Sequence, residues 1–118
     1  MTILGGTGTR LDHMLGTLYC MAGIGAEVPC ELVDAHNRVR ILWPGSYMLN
    51  RKTCFGPYIS LLPIGGDVKG ITLTGFKYPL TEHTMTCYNS LGISNELEAE
   101  KGCISFREGV LACFETRD

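Results

Sequence analysis

The chain has 118 residues, of which 45% are hydrophobic and 19% charged, so it has enough apolar material for one folded domain and too much for a disordered segment. Its formal net charge is −2 and its basic residues are scattered, which argues against nucleic-acid binding. No apolar run approaches the ~20 residues that span a bilayer, and no signal-peptide pattern is present. We therefore expect a cytoplasmic protein without membrane association.

The first part of the chain has the pattern of a strand, a glycine turn and a helix. An apolar strand at Thr2 to Leu4 enters the turn, and a helical period follows from Arg10 to Met21 until Gly23 and Gly25 predict its end. The helix presents one predicted apolar face, made of Leu11, Met14, Leu15, Leu18 and Ala22. Since a single βα unit cannot form a parallel sheet, we expect it to belong to a larger α/β domain or to pack unusually on the rest of the chain.

From Val28 onward the alternation of side chains predicts β-structure. The expected strands are Cys30 to Asp34, Arg38 to Trp43, Tyr58 to Leu62, Gly70 to Phe76, Thr84 to Tyr88, Cys103 to Arg107 and Val110 to Thr116. Short strands at this spacing predict an antiparallel β-sandwich or a barrel. The period changes near Ala26 to Pro29, which predicts a boundary between a βα unit at 1–26 and a β-domain at 27–118.

The cysteine pattern favours free thiols. Six cysteines would allow three disulfides in a secreted protein, but they are widely spaced and form no C-x-x-C pair. We expect free and mostly buried thiols, and a disulfide-stapled secreted domain stays open as an alternative. A zinc site is not expected, because none of the three histidines pairs with a cysteine at zinc-finger spacing.

The start of the predicted helix is the first candidate site. A strand followed by a glycine turn and a helix exposes backbone N–H groups that favour an anion. Arg10 could hold a phosphate there, and Asp12 could serve a metal or orient a base. The pattern is neither a P-loop nor G-x-G-x-x-G. A plain tight turn, with Thr9 and Asp12 as capping residues and His13 on the helix surface, explains the same residues.

An aromatic loop at Gly75 to Leu80 is the second candidate. An exposed Tyr78 beside Lys77 could stack on a flat ring, whereas two rings that anchor the loop to the core would explain Phe76 and Tyr78 equally well. The third candidate, Ser90 to Glu96, has small polar side chains beside a glycine. These suit hydrogen bonding to a ligand, although they also form ordinary turns.

Taken in order, six blocks of the sequence resemble the thiamine pyrophosphokinases. The blocks are Gly8 to His13, Leu32 to Arg38, Ser60 to Pro63, Gly70 to Leu80, Gly92 to Glu96 and Glu115 to Asp118. Enzymes of that family transfer pyrophosphate from ATP to thiamine and require Mg²⁺. The resemblance implies a mainly β fold, in which a thiamine-binding β-sandwich follows the last βα unit of an ATP-binding domain.

By this resemblance, Arg10 and Asp12 are the catalytic residues that face the phosphates and the metal, and Gly6 and Gly8 also bind the ATP phosphates. Thr9 replaces a glycine that is usual in the family's turn. The family's acidic Mg²⁺-binding motifs are not found in this sequence. We therefore expect the chain alone to be inactive, and Asp12 is only a possible metal ligand.

The resemblance also implies that Tyr78 stacks on thiamine while Ser94 and Asn95 donate or accept hydrogen bonds with it. The family builds its site across a homodimer, so a homodimer is expected here. A different class of function stays open, namely a non-catalytic β-sandwich module that binds a sugar or a partner protein.

Overall fold

A computed structural model describes residues 2–4, 10–88 and 91–118 of the chain, and most of its regular structure is β. The helix α1 is Leu11–Ile24. The strands of the described ranges are β1 Thr2–Leu4, β2 Glu31–Val33, β3 Asn37–Leu42, β4 Gly45–Asn50, β5 Tyr58–Pro63, β6 Val68–Thr74, β7 Leu80–Met85, β8 Lys101–Phe106 and β9 Leu111–Thr116.

The strands form two sheets. One sheet has the order β1-β2-β3-β9-β5 and the other has the order β4-β8-β6-β7. Strand β1 pairs parallel with β2, and the remaining strand pairs are antiparallel. The prediction of a mainly antiparallel β-sandwich preceded by a βα unit is therefore confirmed.

Strand β9 contributes to two hydrophobic cores because its side chains alternate between the faces of the five-stranded sheet. Leu111 and Cys113 belong to the core between the two sheets. Ala112 and Phe114 belong to a second cluster, which also contains Leu18 and Met21 of the helix. The five-stranded sheet therefore lies between α1 on one face and the four-stranded sheet on the other.

Fewer residues of helix α1 are buried than its sequence predicts. Leu18 and Met21 are buried, but Leu11 and Leu15 are 70% and 50% exposed. The apolar face was therefore predicted wrongly at its N-terminal end, because the sheet cluster reaches only the C-terminal half of the helix. The helix continues through Gly23 to Ile24, three residues past the predicted end at Met21, and Gly25, at φ 94°, is its C-cap. Arg10 is the N-cap and makes no side-chain cap bond, and Thr9 lies outside the described residues.

The strand predictions failed at two edge strands. No strand was predicted between Trp43 and Tyr58, but β4 occupies Gly45–Asn50. Strand β7 begins at Leu80, four residues before the predicted Thr84, and four of its six residues are exposed. An edge strand that faces solvent lacks the apolar alternation on which the prediction depends. Within the described ranges, no helix has the length and apolar character that crossing a membrane requires.

Candidate functional site

The loop of residues 75–79 separates β6 from β7 and contains two aromatic rings in opposite environments. Phe76 is 3% exposed and belongs to the core between the sheets, whereas Tyr78 is 57% exposed. The sequence left two roles open for these rings, an anchor in the core or an exposed ring that stacks on a ligand, and each role fits a different residue. Phe76 anchors the loop, and the ring of Tyr78 is accessible to a ligand.

The loop has a fixed path because its backbone is bound to residues 96–99. The carbonyl oxygen of Gly75 accepts from the N–H groups of Glu98 and Ala99, at 2.8 and 3.1 Å. The N–H of Lys77 donates to the carbonyl of Glu96 at 2.8 Å. Gly75 has φ +79°, and a Cβ atom there would lie 2.3 Å from the carbonyl oxygen of Lys101. Only glycine fits this turn without displacing the neighbouring strand.

A second segment, residues 91–97, lies along the outer edge of β5. The N–H and C=O of Ile59 exchange hydrogen bonds with Asn95 at 2.7 and 2.9 Å, and the N–H of Leu61 donates to the carbonyl of Gly92 at 2.9 Å. A Cβ at Gly92 would lie 2.3 Å from the carbonyl oxygen of Leu61. This close approach requires glycine and lets the segment cover the edge of the sheet.

Ser60 fixes the turn that exposes Ser94. The Oγ of Ser60 accepts from the N–H of Ser94 at 2.9 Å, and Ser94 has the left-handed φ of 58°. Ser60 is 9% exposed, while the side chain of Ser94 is at the surface. Sequence reasoning assigned Ser60 no role. A polar residue within the otherwise apolar run of β5 was the available signal.

Asn95 joins the two segments. Its Oδ1 accepts from the N–H of Tyr78 at 3.0 Å, and its Nδ2 donates to the carbonyl of Tyr78 at 2.9 Å. The three residues that the resemblance places at thiamine therefore come together: Tyr78, Ser94 and Asn95. Their environments differ, because Asn95 is 5% exposed and its side-chain amide is bound to backbone groups of the protein.

Two opposite charges lie beside Tyr78. The Nζ of Lys77 is 5.5 Å from the centre of the Tyr78 ring and 3.7 Å from the Oε2 of Glu96. A cation close to the ring face interacts favourably with the ring quadrupole. Glu96 therefore partly offsets the charge of Lys77 beside the ring.

Arg10 and Asp12, the predicted phosphate and metal residues, bind each other at the start of α1. The guanidinium NH2 of Arg10 is 2.6 Å from Oδ2 of Asp12, and Nε is 3.2 Å from Oδ1. Their side chains are 65% and 63% exposed. Among the described residues, no hydrogen bond or ion pair joins them to the Tyr78 loop. Gly6 and Gly8 lie outside the described residues, and His13 is exposed on the helix.

The described residues do not assemble a site suited to Mg²⁺. Within residues 2–4, 10–88 and 91–118, no three Asp, Glu, His or Cys side chains lie close enough to hold a metal ion. Mg²⁺ is bound through carboxylates, but both carboxylate oxygens of Asp12 accept from Arg10. Asp12 alone therefore does not fit a metal site in this arrangement.

The six cysteines carry free thiols, in agreement with the prediction. Only Cys30 and Cys113 are buried, so the expectation that most of them are buried was wrong. Burial raises the pKa of Cys113 to about 12 and that of Cys54 to about 11. These two thiols therefore stay protonated at neutral pH and are weak nucleophiles.

A network of charged residues surrounds the buried Glu115 of β9. Glu115 is 1% exposed, and its Oε2 accepts from the NH1 of Arg38 at 3.1 Å, while the Nε of Arg40 lies 3.7 Å away. The Nε of Arg38 donates to Glu31 at 2.8 Å, and this hydrogen bond lowers the pKa of Glu31. The network links β2, β3 and β9, and sequence reasoning did not identify it.

A family model described as "Thiamin pyrophosphokinase, vitamin B1 binding domain" matches residues 46–111. The matched range contains the Tyr78 loop and the segment along β5, and it excludes Arg10 and Asp12. A thiamine pyrophosphokinase from Bacillus subtilis (strain 168) is 37% identical over 117 residues, which are 98% of this chain and 54% of that protein.

Solved structures give the same result. A thiamine pyrophosphokinase structure from Bacillus subtilis is similar with a TM-score of 0.92 and 36% identity, over 99% of this chain and 55% of that one. A thiamin pyrophosphokinase structure from Geobacillus thermodenitrificans has a TM-score of 0.86 and 38% identity, over 99% of this chain and 54% of that one. The yeast thiamin pyrophosphokinase, at 17% identity and a TM-score of 0.80, shows a shared fold. The chain spans about half the length of the relatives that it matches.

Proposed function

This chain belongs to the thiamine pyrophosphokinase family, and we propose that its β-sandwich binds thiamine at the surface formed by Tyr78 and Ser94. One observation carries the proposal. The backbone of Tyr78 is bound at both its N–H and its C=O, yet 57% of its side chain is exposed. A large aromatic ring on a fixed backbone presents a flat face at little entropic cost, which suits a ligand with aromatic rings.

The chemistry of thiamine matches this surface. Thiamine combines an aminopyrimidine ring with a cationic thiazolium ring, and both can stack on a tyrosine. Glu96 partly offsets the positive charge of Lys77 at 3.7 Å, which reduces the repulsion that a cationic ligand meets beside the ring. Ser94 provides a polar surface group next to Asn95. A sugar- or protein-binding module, the alternative from the sequence, is not favoured by the family match.

Replacement of the ring tests the site. Tyr78→Ala should weaken thiamine binding by ~1–3 kcal/mol, because stacking on a flat ring contributes energy of that order. The melting temperature should change little, since more than half of the side chain is exposed. Isothermal titration calorimetry measures the affinity. Tyr88→Ala is the matched control, because Tyr88 is 100% exposed and lies outside the site.

Two outcomes would contradict the proposal. Unchanged thiamine affinity in Tyr78→Ala would remove the residue from the site, and a large loss of melting temperature would make its ring a structural anchor. A thermal shift with a sugar from a panel, but not with thiamine, would favour the alternative module.

We also propose that the full-length protein transfers pyrophosphate from ATP to thiamine, with this chain providing the thiamine-binding part. The names of the relatives and the half-length match support this division. Phosphoryl transfer depends on metal ions that neutralise the developing charge, and the described residues do not fit such a site. ATP, Mg²⁺ and the roles of Arg10 and Asp12 are therefore proposals for the full-length protein.

A chromatographic assay for thiamine diphosphate tests the division. The chain alone, with Mg-ATP and thiamine, should form no detectable product, and a longer polypeptide that includes the acidic motifs of the family should form it. Product formed by the chain alone at an ordinary enzymatic rate would contradict the proposal. Asp12, Asp34 and Asp67 would then need testing as metal ligands.

We propose further that β1 and α1 form part of a nucleotide-binding α/β domain, with the boundary near residues 26–29. The exposure of Leu4 and Leu11, at 76% and 70%, supports this proposal, and the parallel pairing of β1 with β2 continues the sheet across the boundary. Hydrogen exchange of α1 should slow in a longer polypeptide. The homodimer rests on the family resemblance, and sedimentation equilibrium would test it. The cytoplasmic location stays a prediction.

A further inference from the structure

Asn95 makes an unusual number of hydrogen bonds for one residue at the candidate site. Its backbone exchanges two hydrogen bonds with Ile59, at 2.7 and 2.9 Å. Its Oδ1 accepts from the N–H groups of Tyr78 and Glu96, at 3.0 and 2.9 Å, and its Nδ2 donates to the carbonyl of Tyr78 at 2.9 Å. One residue therefore connects the edge of β5 to the Tyr78 loop.

The side-chain amide of Asn95 binds Tyr78 in the way that a strand binds its neighbour. Its carbonyl oxygen and its N–H₂ group pair with the N–H and C=O of the same residue, so the Tyr78 backbone cannot rotate without breaking both bonds. The direction of the Cα–Cβ bond of Tyr78 follows from the orientation of that backbone. The exposed ring has little packing to orient it otherwise, because its side chain is 57% exposed.

We propose that Asn95 is a positioning residue, which orients the ring of Tyr78 through its backbone and does not itself contact the ligand. The inference rests on the proposed thiamine site and changes the role that the family resemblance implies for Asn95. Burial supports it, since Asn95 is 5% exposed and its side-chain oxygen already accepts two hydrogen bonds. That oxygen therefore has no acceptor site left for a ligand, and one of the two N–H donors of Nδ2 is already bound to the carbonyl of Tyr78.

The geometry requires both a donor and an acceptor at this position. An aspartate has the same shape, but its ionised form cannot donate to the carbonyl of Tyr78. Asn95→Asp therefore still accepts hydrogen bonds from the N–H groups of Tyr78 and Glu96 but loses the hydrogen bond to the carbonyl of Tyr78. Asn95→Ala loses all three of these side-chain hydrogen bonds. A protonated aspartate regains a donor, so the Asn95→Asp variant should recover as the pH falls through the pKa of its carboxyl group.

A double-mutant cycle on thiamine affinity tests the proposal. Asn95→Ala should lower the affinity about as much as Tyr78→Ala does, roughly tenfold for the loss of a stacked ring. The double variant should bind no more weakly than Tyr78→Ala alone, because Asn95 acts through Tyr78. The proposal would be overturned if Asn95→Ala lowered thiamine affinity equally in the unaltered chain and in Tyr78→Ala, or if it did not lower the affinity at all. Asn37→Ala, which removes an Asn bound to Asp34 in another hairpin, is the matched control.

Two further measurements separate positioning from a general loss of folding. The thiamine affinity of Asn95→Asp, divided by that of the unaltered chain, should rise as the pH is lowered. A ratio that does not change with pH would overturn the role of the Nδ2 donor of Asn95. Hydrogen exchange of the Tyr78 amide, followed by NMR without thiamine, should accelerate at least tenfold in Asn95→Ala while amides of β9 stay protected.

The exchange measurement also distinguishes this inference from the proposed function. Unchanged affinity in Tyr78→Ala combined with faster exchange in Asn95→Ala would remove thiamine from this surface but keep the role of Asn95 toward Tyr78. Unchanged exchange at Tyr78 would overturn the positioning role, whatever the ligand. If Asn95→Ala does not fold, the pH dependence of thiamine affinity in Asn95→Asp still tests the proposal, because this variant keeps the acceptor for the Tyr78 N–H and loses only the donor to the Tyr78 carbonyl.

Discussion

Two carboxylates of this protein, Glu115 in the sandwich and Asp12 at the start of α1, are both paired with arginine but in opposite environments. The Asp12 contact is the shorter, at 2.6 Å against 3.1 Å for Glu115 with Arg38. Yet Asp12 is 63% exposed and Glu115 is 1% exposed. Water screens the first pair, whereas a buried carboxylate and its arginines depend on each other. Burial, more than distance, therefore decides which pair matters for stability.

Removal of the buried carboxylate is the strongest test of this comparison. Glu115→Ala should lower the free energy of unfolding by about 3–5 kcal/mol, because it removes the carboxylate that faces Arg40, whereas Arg38 keeps its ion pair with Glu31. Arg40 makes the effect larger, since its Nε and NH2 are buried and have no hydrogen-bond partner in the described chain. Urea denaturation followed by circular dichroism measures the change.

Glu108 provides the control for that experiment. Its carboxylate is 67% exposed and lies 3.7 Å from the Nζ of Lys69. Glu108→Ala should cost no more than about 1 kcal/mol. Similar losses for the two variants would show that burial does not separate them.

The apolar residues of α1 extend the comparison to the hydrophobic effect. Met21 is 1% exposed and Leu15 is 50% exposed on the same helix. Met21→Ala should cost about 2–5 kcal/mol of unfolding free energy because it opens a cavity. Leu15→Ala should cost less than about 1 kcal/mol in the same denaturation experiment. An equally large loss at Leu15 would mean that another surface covers this side of the helix in solution.

The buried thiols predict a pH dependence. Burial raises the pKa of Cys113 to about 12, above the ordinary 9.0, so the folded chain keeps a proton that the unfolded chain releases. The stabilising contribution of the protonated thiol is complete below about pH 9 and declines as the pH rises toward 12, by at most about 1.4 kcal/mol per pH unit. Denaturation midpoints between pH 8 and 10.5 measure the slope.

Replacement of each thiol identifies its share of that slope. Cys113→Ala and Cys54→Ala should each flatten the alkaline decline by a similar amount in this range, because both folded-state pKa values, about 12 and about 11, lie above pH 10.5. A slope that neither variant changes would assign the decline to other groups.

The smallest effect is expected at the exposed ion pair. Arg10→Ala should change the free energy of unfolding by about 0–1 kcal/mol, and added salt should reduce even this difference. Thiamine affinity should stay unchanged, since Arg10 has no hydrogen bond or ion pair with the Tyr78 loop among the described residues. Calorimetry with thiamine measures that affinity. A clear loss of binding would bring Arg10 into the thiamine site.

The local sequence pattern was sufficient to predict most of the strands. Apolar runs and alternation predicted β5, β8 and β9 to within two residues, because β8 buries every second residue and β5 and β9 bury side chains on both faces. It failed for β4 and β7, which lie at the edges of the four-stranded sheet. Each of these two strands has a single buried residue, Leu49 in β4 and Met85 in β7, so neither shows an apolar alternation.

The sequence by itself determined the mainly β fold and the family, because composition, alternation and ordered motifs are local properties. Only the tertiary structure decided which of two aromatic residues is exposed and that Asn95 binds Tyr78, 17 residues earlier in the chain. It also decided that Leu11 and Leu15 face solvent. These outcomes depend on strand order and on which surfaces meet. Such contacts join distant parts of the chain, and no local period encodes them.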